Sequence, residues 1–195
     1  MGKQLSEMSL EELWKLFPII LKEHNPHYKE WYECEKNSIL AYINKEAIYR
    51  INHIGSSVVK GLIAKPTVDI LLELNKECDF NHIISLLTDN DWSLMKRELK
   101  PETKLSFNKG YTPSGFAEKV YHLHVRYLGD WPELYFRDYL MDHPKIAAEY
   151  AKLKISLSGK YKHHRDNYTE AKTDFITQYT KKAKLAYGDR YRPKH

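Results

Sequence analysis

The run "TVDILLEL", Thr67 to Leu74, limits the fold of this chain more than any other stretch. Val68, Ile70, Leu71, Leu72 and Leu74 make it an apolar strand, yet it holds a lone aspartate, Asp69. An unpaired charge is costly to bury, so such an aspartate has a cation, a hydrogen-bond donor or a chemical task. The stretch before it, "NHIGSSVVKGLIAKP", narrows the choice. A strand over Ala47 to Ile54 runs into Gly55-Ser56, and Asp69 follows Ser56 by thirteen residues.

The rest of the chain supplies partners for these two strands. Ser9 with Glu12 is a capping box, giving a helix over Leu10 to Phe17 that Pro18 stops. A second helix, His27 to Ile43, carries Tyr28, Trp31, Tyr32, Ile39, Tyr42 and Ile43 as an apolar stripe. Asp79 caps a third, with Phe80, Ile83, Ile84 and Leu87 on one face. Strands follow over Trp92 to Leu99, Lys104 to Lys109 and Lys119 to Leu128. The turn-rich "GYTPSGF" pairs the last two antiparallel. Pro132 and Pro144 then open helices, and Asp166 is expected to cap a long one ending at Gly188. The class is α/β (α+β), a mixed sheet flanked by helices. One domain is expected over 1–195, with a helical N-terminal segment 9–45, a sheet core 46–128 and C-terminal helices 130–188.

At 195 residues and 42% hydrophobic, the chain can fill one core. No apolar run nears the ~20 residues that span a bilayer, so no membrane partner is expected. Met1-Gly2 reads as an ordinary start. Cys34 and Cys78 stand apart and outside any CxxC pair, which argues against a disulfide scaffold and for a cytoplasmic setting. The net charge of +5, weighted towards the residues after Lys152, suits an anionic ligand. Nucleic acid is not the expected partner. RNA would need a continuous basic stripe with exposed aromatics, for which Tyr161, Tyr168, Tyr187 and Tyr191 are the candidates.

A glycine closing a strand lets a phosphate approach the backbone, since no Cβ stands in the way. Ser56 adds a hydroxyl and an N–H, and a helix starting in Ser57 to Leu62 would add its positive end. Neither GxxxxGK[ST] nor GxGxxG occurs, so the two best-known phosphate loops are excluded.

Gly55-Ser56 together with Asp69 on the next strand resembles the signature of the nucleotidyltransferase superfamily, the polymerase-β-like fold. "HIGSSVVKGLIAKPTVDI" is similar to the hallmark of the GrpB family, and so are "FNKG", "HLHV", "FRDYLMDHP", "YAKLK" and "YTEAKTDFI" further on. The resemblance covers nearly the whole chain. It implies binding of a nucleotide or phosphorylated metabolite, metal-dependent nucleotidyl transfer with Asp69 as the catalytic carboxylate, and a link to a CoA-pathway enzyme. Phosphate-binding candidates are His53, Gly55, Ser56, Lys65, Lys109, Arg126 and Arg137. The alternative is a catalytically silent ligand-binding or regulatory module.

Two departures from the superfamily pattern stand out. The second carboxylate is expected two residues after the first, but that position is Leu71, and Glu73 lies ~13 Å along the strand from Asp69. The later strand carries His122 and His124, whose alternation points them to one face. With Asp69 they make a candidate site for Mn²⁺ or Zn²⁺ more than for the Mg²⁺ of the superfamily. Equally, the two histidines would serve a polar cleft without metal. Arg137 beside Asp138 also reads as a helix-to-sheet ion pair. Lys154 and Lys172 read as solvated helix positions, and His163-His164 as an exposed loop.

Overall fold

A computed structural model describes residues 3–193. Met1-Gly2, read above as an ordinary start, lies outside them. The elements in order are α1 (Leu10–Leu16), α2 (Tyr28–Tyr42), β1 (Ile48–Ile54), β2 (Val68–Leu74), α3 (Phe80–Thr88), β3 (Ser93–Glu98), β4 (Lys104–Thr112), β5 (Gly115–Tyr127), α4 (Pro132–Asp142), α5 (Pro144–Lys160), α6 (Arg165–Glu170) and α7 (Thr173–Tyr187). The expected caps are in place. The Ser9 hydroxyl accepts the Glu12 N–H while the Glu12 carboxylate accepts the Ser9 N–H, and Asp79 accepts the Asn81 N–H. No helix among the described residues is long and apolar enough to cross a membrane.

The five strands form one mixed sheet in the order β1-β2-β5-β4-β3. β2 and β5 run parallel, and every other neighbouring pair is antiparallel. The fold class is therefore the expected one. Strand alternation divides the side chains between two layers. Val68, Ile70, Leu72 and Leu74 join Leu105, Phe107, Leu123 and Val125 under α2 and α3, around Tyr28, Ile39, Phe80 and Leu87. The opposite face of β2 and β5 presents Asp69, Leu71, Glu73, His122, His124 and Arg126, in the register pairs Asp69–His122, Leu71–His124 and Glu73–Arg126.

The C-terminal helices cover part of this second face. Leu71 packs with Ile54, Trp131 and Leu134, while Phe136, Leu140, Ala147, Tyr150 and Tyr179 close over Val59 and Leu62.

Two local expectations are corrected. Ser57 to Leu62 forms successive turns, with Val59 N–H bonded to Ser56 O and Leu62 N–H to Val59 O, so no helix dipole faces the Gly-Ser turn. The helix expected to run unbroken from Asp166 to Gly188 is interrupted at Ala171-Lys172, giving α6 and α7. Its first part begins after His164, and Asp166 lies inside the first turn rather than at the cap.

Candidate functional site

The Gly55 turn and Asp69 meet through a glycine-dependent contact. Gly55 has φ +74°, a left-handed conformation that favours glycine. A Cβ built on it would lie 2.4 Å from Asp69 Oδ2. Any side chain at 55 would displace the carboxylate, so the turn and the carboxylate occupy one compact site, the arrangement the family resemblance implies.

The other Asp69 oxygen, Oδ1, lies 3.0 Å from His122 Nδ1. The far nitrogen of that ring, Nε2, lies 2.9 Å from the Tyr111 hydroxyl. Burial by itself raises the Asp69 carboxyl, but the His122 hydrogen bond and the charges around it outweigh burial and hold it below the usual carboxylate range. Burial also lowers His122, and it pushes His124 down to about 4.

His124 shares this face, and its Nδ1 is buried without a hydrogen-bond partner. The three proposed metal ligands do not form a cage, however. Both His122 nitrogens are engaged, and no three His, Cys, Asp or Glu side chains among the described residues come together around a point that would hold an ion. The set Asp69, His122 and His124 does not fit a resident metal.

Four cations gather near this carboxylate. Lys65 precedes β2, Lys154 comes from α5, Arg165 opens α6, and Lys172 stands at the break before α7. Lys154 is buried, and its ammonium donates to Ser56 Oγ at 3.0 Å and to the Ile63 carbonyl. Two of the lysines rest on aromatic faces, Lys154 on Tyr150 at 4.7 Å and Lys172 on Tyr168 at 4.3 Å. None of the four cations has a carboxylate within salt-bridge distance among the described residues. The consequence is electrostatic. Burial together with the neighbouring cations pushes Lys65 and Lys154 down to about 7 and Lys172 to about 8. Asp69 works in the other direction at all three, but one carboxylate is too little.

Lys154, Lys172 and Arg165 are the residues that sequence reasoning missed. A lysine on a helix is ordinarily solvated, and only tertiary packing, such as that of α5 against the Ser56–Ile63 turns, turns these inward. The one signal was Lys154 and Lys172 falling inside the blocks "YAKLK" and "YTEAKTDFI".

Beside the cations opens a cavity of ≈ 1290 Å³, larger than the ~300–1,000 Å³ of most small-molecule sites. Ser106, Asn108, His122 and His124 form the sheet side of it, and Lys65 and Arg165 lie at its polar end. Its apolar wall is unexpected, because the N-terminal segment supplies it. Phe17 packs on Tyr111 and Phe116 with ring centres 4.7 and 5.0 Å apart, and Trp14 meets His164 edge-on. The Ile19 N–H bonded to the Lys162 carbonyl ties this segment to the C-terminal helices.

Four proposed ligand residues are placed elsewhere. Lys109 faces the opposite side of the sheet, paired with Glu35 at 2.8 Å and lying over Trp92, because its partner in the ladder is the core-facing Tyr121. Arg126 does share the His122 face, but Trp131 covers it and its guanidinium donates to the Leu105 and Val125 carbonyls. Arg137 ties α4 to β1 through Asn52 and the His53 carbonyl and pairs with Asp138, the structural alternative weighed above. His53 points behind the turn, stacked on Tyr32 with Nε2 3.0 Å from Ser57 Oγ. Burial pushes it down to about 4. Lys65, Gly55 and Ser56 remain at the site.

Comparison with known proteins decides the family. The family described as GrpB protein matches residues 18–182. The chain belongs to the GrpB family. Within it, the chain is 33% identical over 166 residues to the Glutamate-rich protein GrpB of Alkalihalophilus pseudofirmus, covering 82% of this chain and 92% of that one. It is 28% identical over 181 residues to the UPF0157 protein YqkA of Bacillus subtilis, covering 90% of this chain but only 51% of YqkA. The crystal structure of conserved protein GrpB from Enterococcus faecalis superposes with a TM-score of 0.72 at 26% identity, over 86% of this chain and 99% of that one.

Proposed function

We propose that the cleft between the Gly55-Ser56 turn, β2 and α5–α6 binds a small molecule carrying phosphate, either a nucleotide or a phosphorylated metabolite. The observation behind this reading is the imbalance of charge: Lys65, Lys154, Lys172 and Arg165 gather near one carboxylate, Asp69, and no other acid among the described residues pairs with them. Three lysines with lowered proton affinity are ammonium groups short of an anion. A phosphate would supply it, accepting from the cations and from the Ser56 region. The adjoining cavity gives room for the organic part of such a ligand.

Nucleotidyl transfer, which the superfamily resemblance implies, asks for more than this set offers. Leu71 stands where a second carboxylate would, and it is enclosed by Ile54, Trp131 and Leu134. We therefore assign binding, as a ligand-responsive module, ahead of transfer.

Titration calorimetry with inorganic pyrophosphate, ATP and CoA tests the assignment. At least one should bind, and its affinity should fall as pH rises from about 6.5 to about 9, the window in which the three lysines lose their protons. Heat of binding for none of them at the lower pH would refute the proposal.

A further inference from the structure

The hydrogen bonds around His122 have a direction that heavy-atom distances alone do not give. Asp69 is ionised, so its Oδ1 can only accept, and His122 Nδ1 must carry the proton. Burial keeps the ring neutral, so its Nε2 is a lone pair and an acceptor. The Tyr111 hydroxyl at 2.9 Å must then donate to it. Carboxylate, imidazole and hydroxyl thus stand in the order of a catalytic triad, with a phenol at its end.

We propose that Asp69, His122 and Tyr111 form a proton relay that makes the Tyr111 phenol the nucleophile of this cleft. Tyr111 lines the cavity between Phe17 and Phe116, with Lys65, Arg165 and His124 lining the same cavity. The substrate class is an electrophile with an apolar or aromatic body and an anionic group. In the reaction, the Tyr111 oxygen bonds to the electrophilic atom and the bond to the leaving group breaks. The leaving group departs with the electron pair, and the phenol proton moves to His122 Nε2, where Asp69 stabilises the imidazolium. Tyr111 touches the substrate, His122 takes the phenol proton as general base, and Asp69 acts through His122 as a positioning residue. If the electrophile is an activated phosphoryl group, that part rests on the phosphate-binding reading above. The relay itself does not depend on it.

An aryl sulfonyl fluoride, which carries no phosphate, separates the two ideas. Labelling forms the tyrosyl O–S bond, breaks S–F, releases fluoride and passes the proton to His122. Peptide mass spectrometry should find Tyr111 labelled fastest of the 15 tyrosines, ahead of Tyr49, which is 53% exposed. Asp69→Asn offers an amide N–H to Nδ1, which moves the imidazole proton to Nε2 and turns that nitrogen into a donor. Its Tyr111 labelling should drop about a hundredfold while Tyr49 is unchanged. Imidazole ¹⁵N spectra should show the proton on Nδ1 in the wild type and on Nε2 in the variant. His122→Gln should lose the rate in the same way, and it serves if Asp69→Asn does not fold. Tyr111 labelled no faster than Tyr49, or a reversed tautomer with an unchanged rate, would overturn the relay whether or not phosphate binds.

Discussion

Two carboxylates sit on the same face of β2, four residues apart, and they are treated in opposite ways. Glu73 is 0% exposed and fully matched. Arg50 grips both its oxygens, the Gly129 N–H reaches Oε1 at 3.2 Å, and the same guanidinium bonds the Gly129 and Tyr191 carbonyls. The Asp69 side chain keeps 27% exposure and is hydrogen-bonded to one imidazole, while four cations near it lack acids of their own among the described residues. At Glu73 donors and acceptors balance, which marks a structural joint between β1, β2 and the C-terminal segment. At Asp69 charge is left over, and leftover charge beside a cavity marks a place for a ligand. Burial alone would have ranked Glu73 first.

The comparison can be broken most forcefully at its structural end. Arg50→Ala leaves Glu73 buried and unpaired, and should cost about 3–5 kcal/mol of stability in denaturant melts. The loss should shrink at acid pH, where Glu73, already raised by burial, takes a proton. Binding of the pyrophosphate probe should survive in the protein that remains folded.

Lys65→Met should do the reverse. It removes a cation that the fold holds at a penalty, so melting should stay level or rise. Removing one charged contact should weaken pyrophosphate about tenfold to a hundredfold by calorimetry. Equal losses of stability in the two variants would erase the distinction between the ends of β2.

A further test concerns pH. Folding lowers Lys65 and Lys154 to about 7 and Lys172 to about 8 from an ordinary 10.5. Between those values the unfolded chain binds more protons than the folded one, so the lysines add stability as pH rises from about 7 towards 10. Ligand affinity should fall over the same range. Stability and affinity moving together would contradict this picture.

Much of this was legible in the sequence for physical reasons that are local. Caps at Ser9 and Asp79, the apolar run through Val68 and Leu72, and the turn-rich hairpin follow from short-range rules, whereas the placing of Gly55 near Asp69 came from the family resemblance and depends on the pairing of β1 with β2. Alternation correctly set His122, His124 and Arg126 on one face. It could not show that Trp131 would lie over Arg126, since that depends on how α4 crosses the sheet. Lys109 was misjudged because only its pairing with Tyr121 fixes its side. Lys154, Arg165 and Lys172 were illegible as site residues for the same kind of reason: the sequence of a helix shows its faces, while the docking decides which face meets a cleft.

The cluster of Ile54, Leu71, Trp131 and Leu134 also bears on engineering. Leu71→Asp would seem the direct route from this site to one with two carboxylates. The new charge would emerge against an indole and two aliphatic side chains, with its nearest strand neighbours Asn52 and His124 offering no cation. It would undermine the seat of α4 before it could assist Asp69. Converting this cleft into a two-carboxylate site therefore begins with moving a helix, and no single substitution on the strand achieves it.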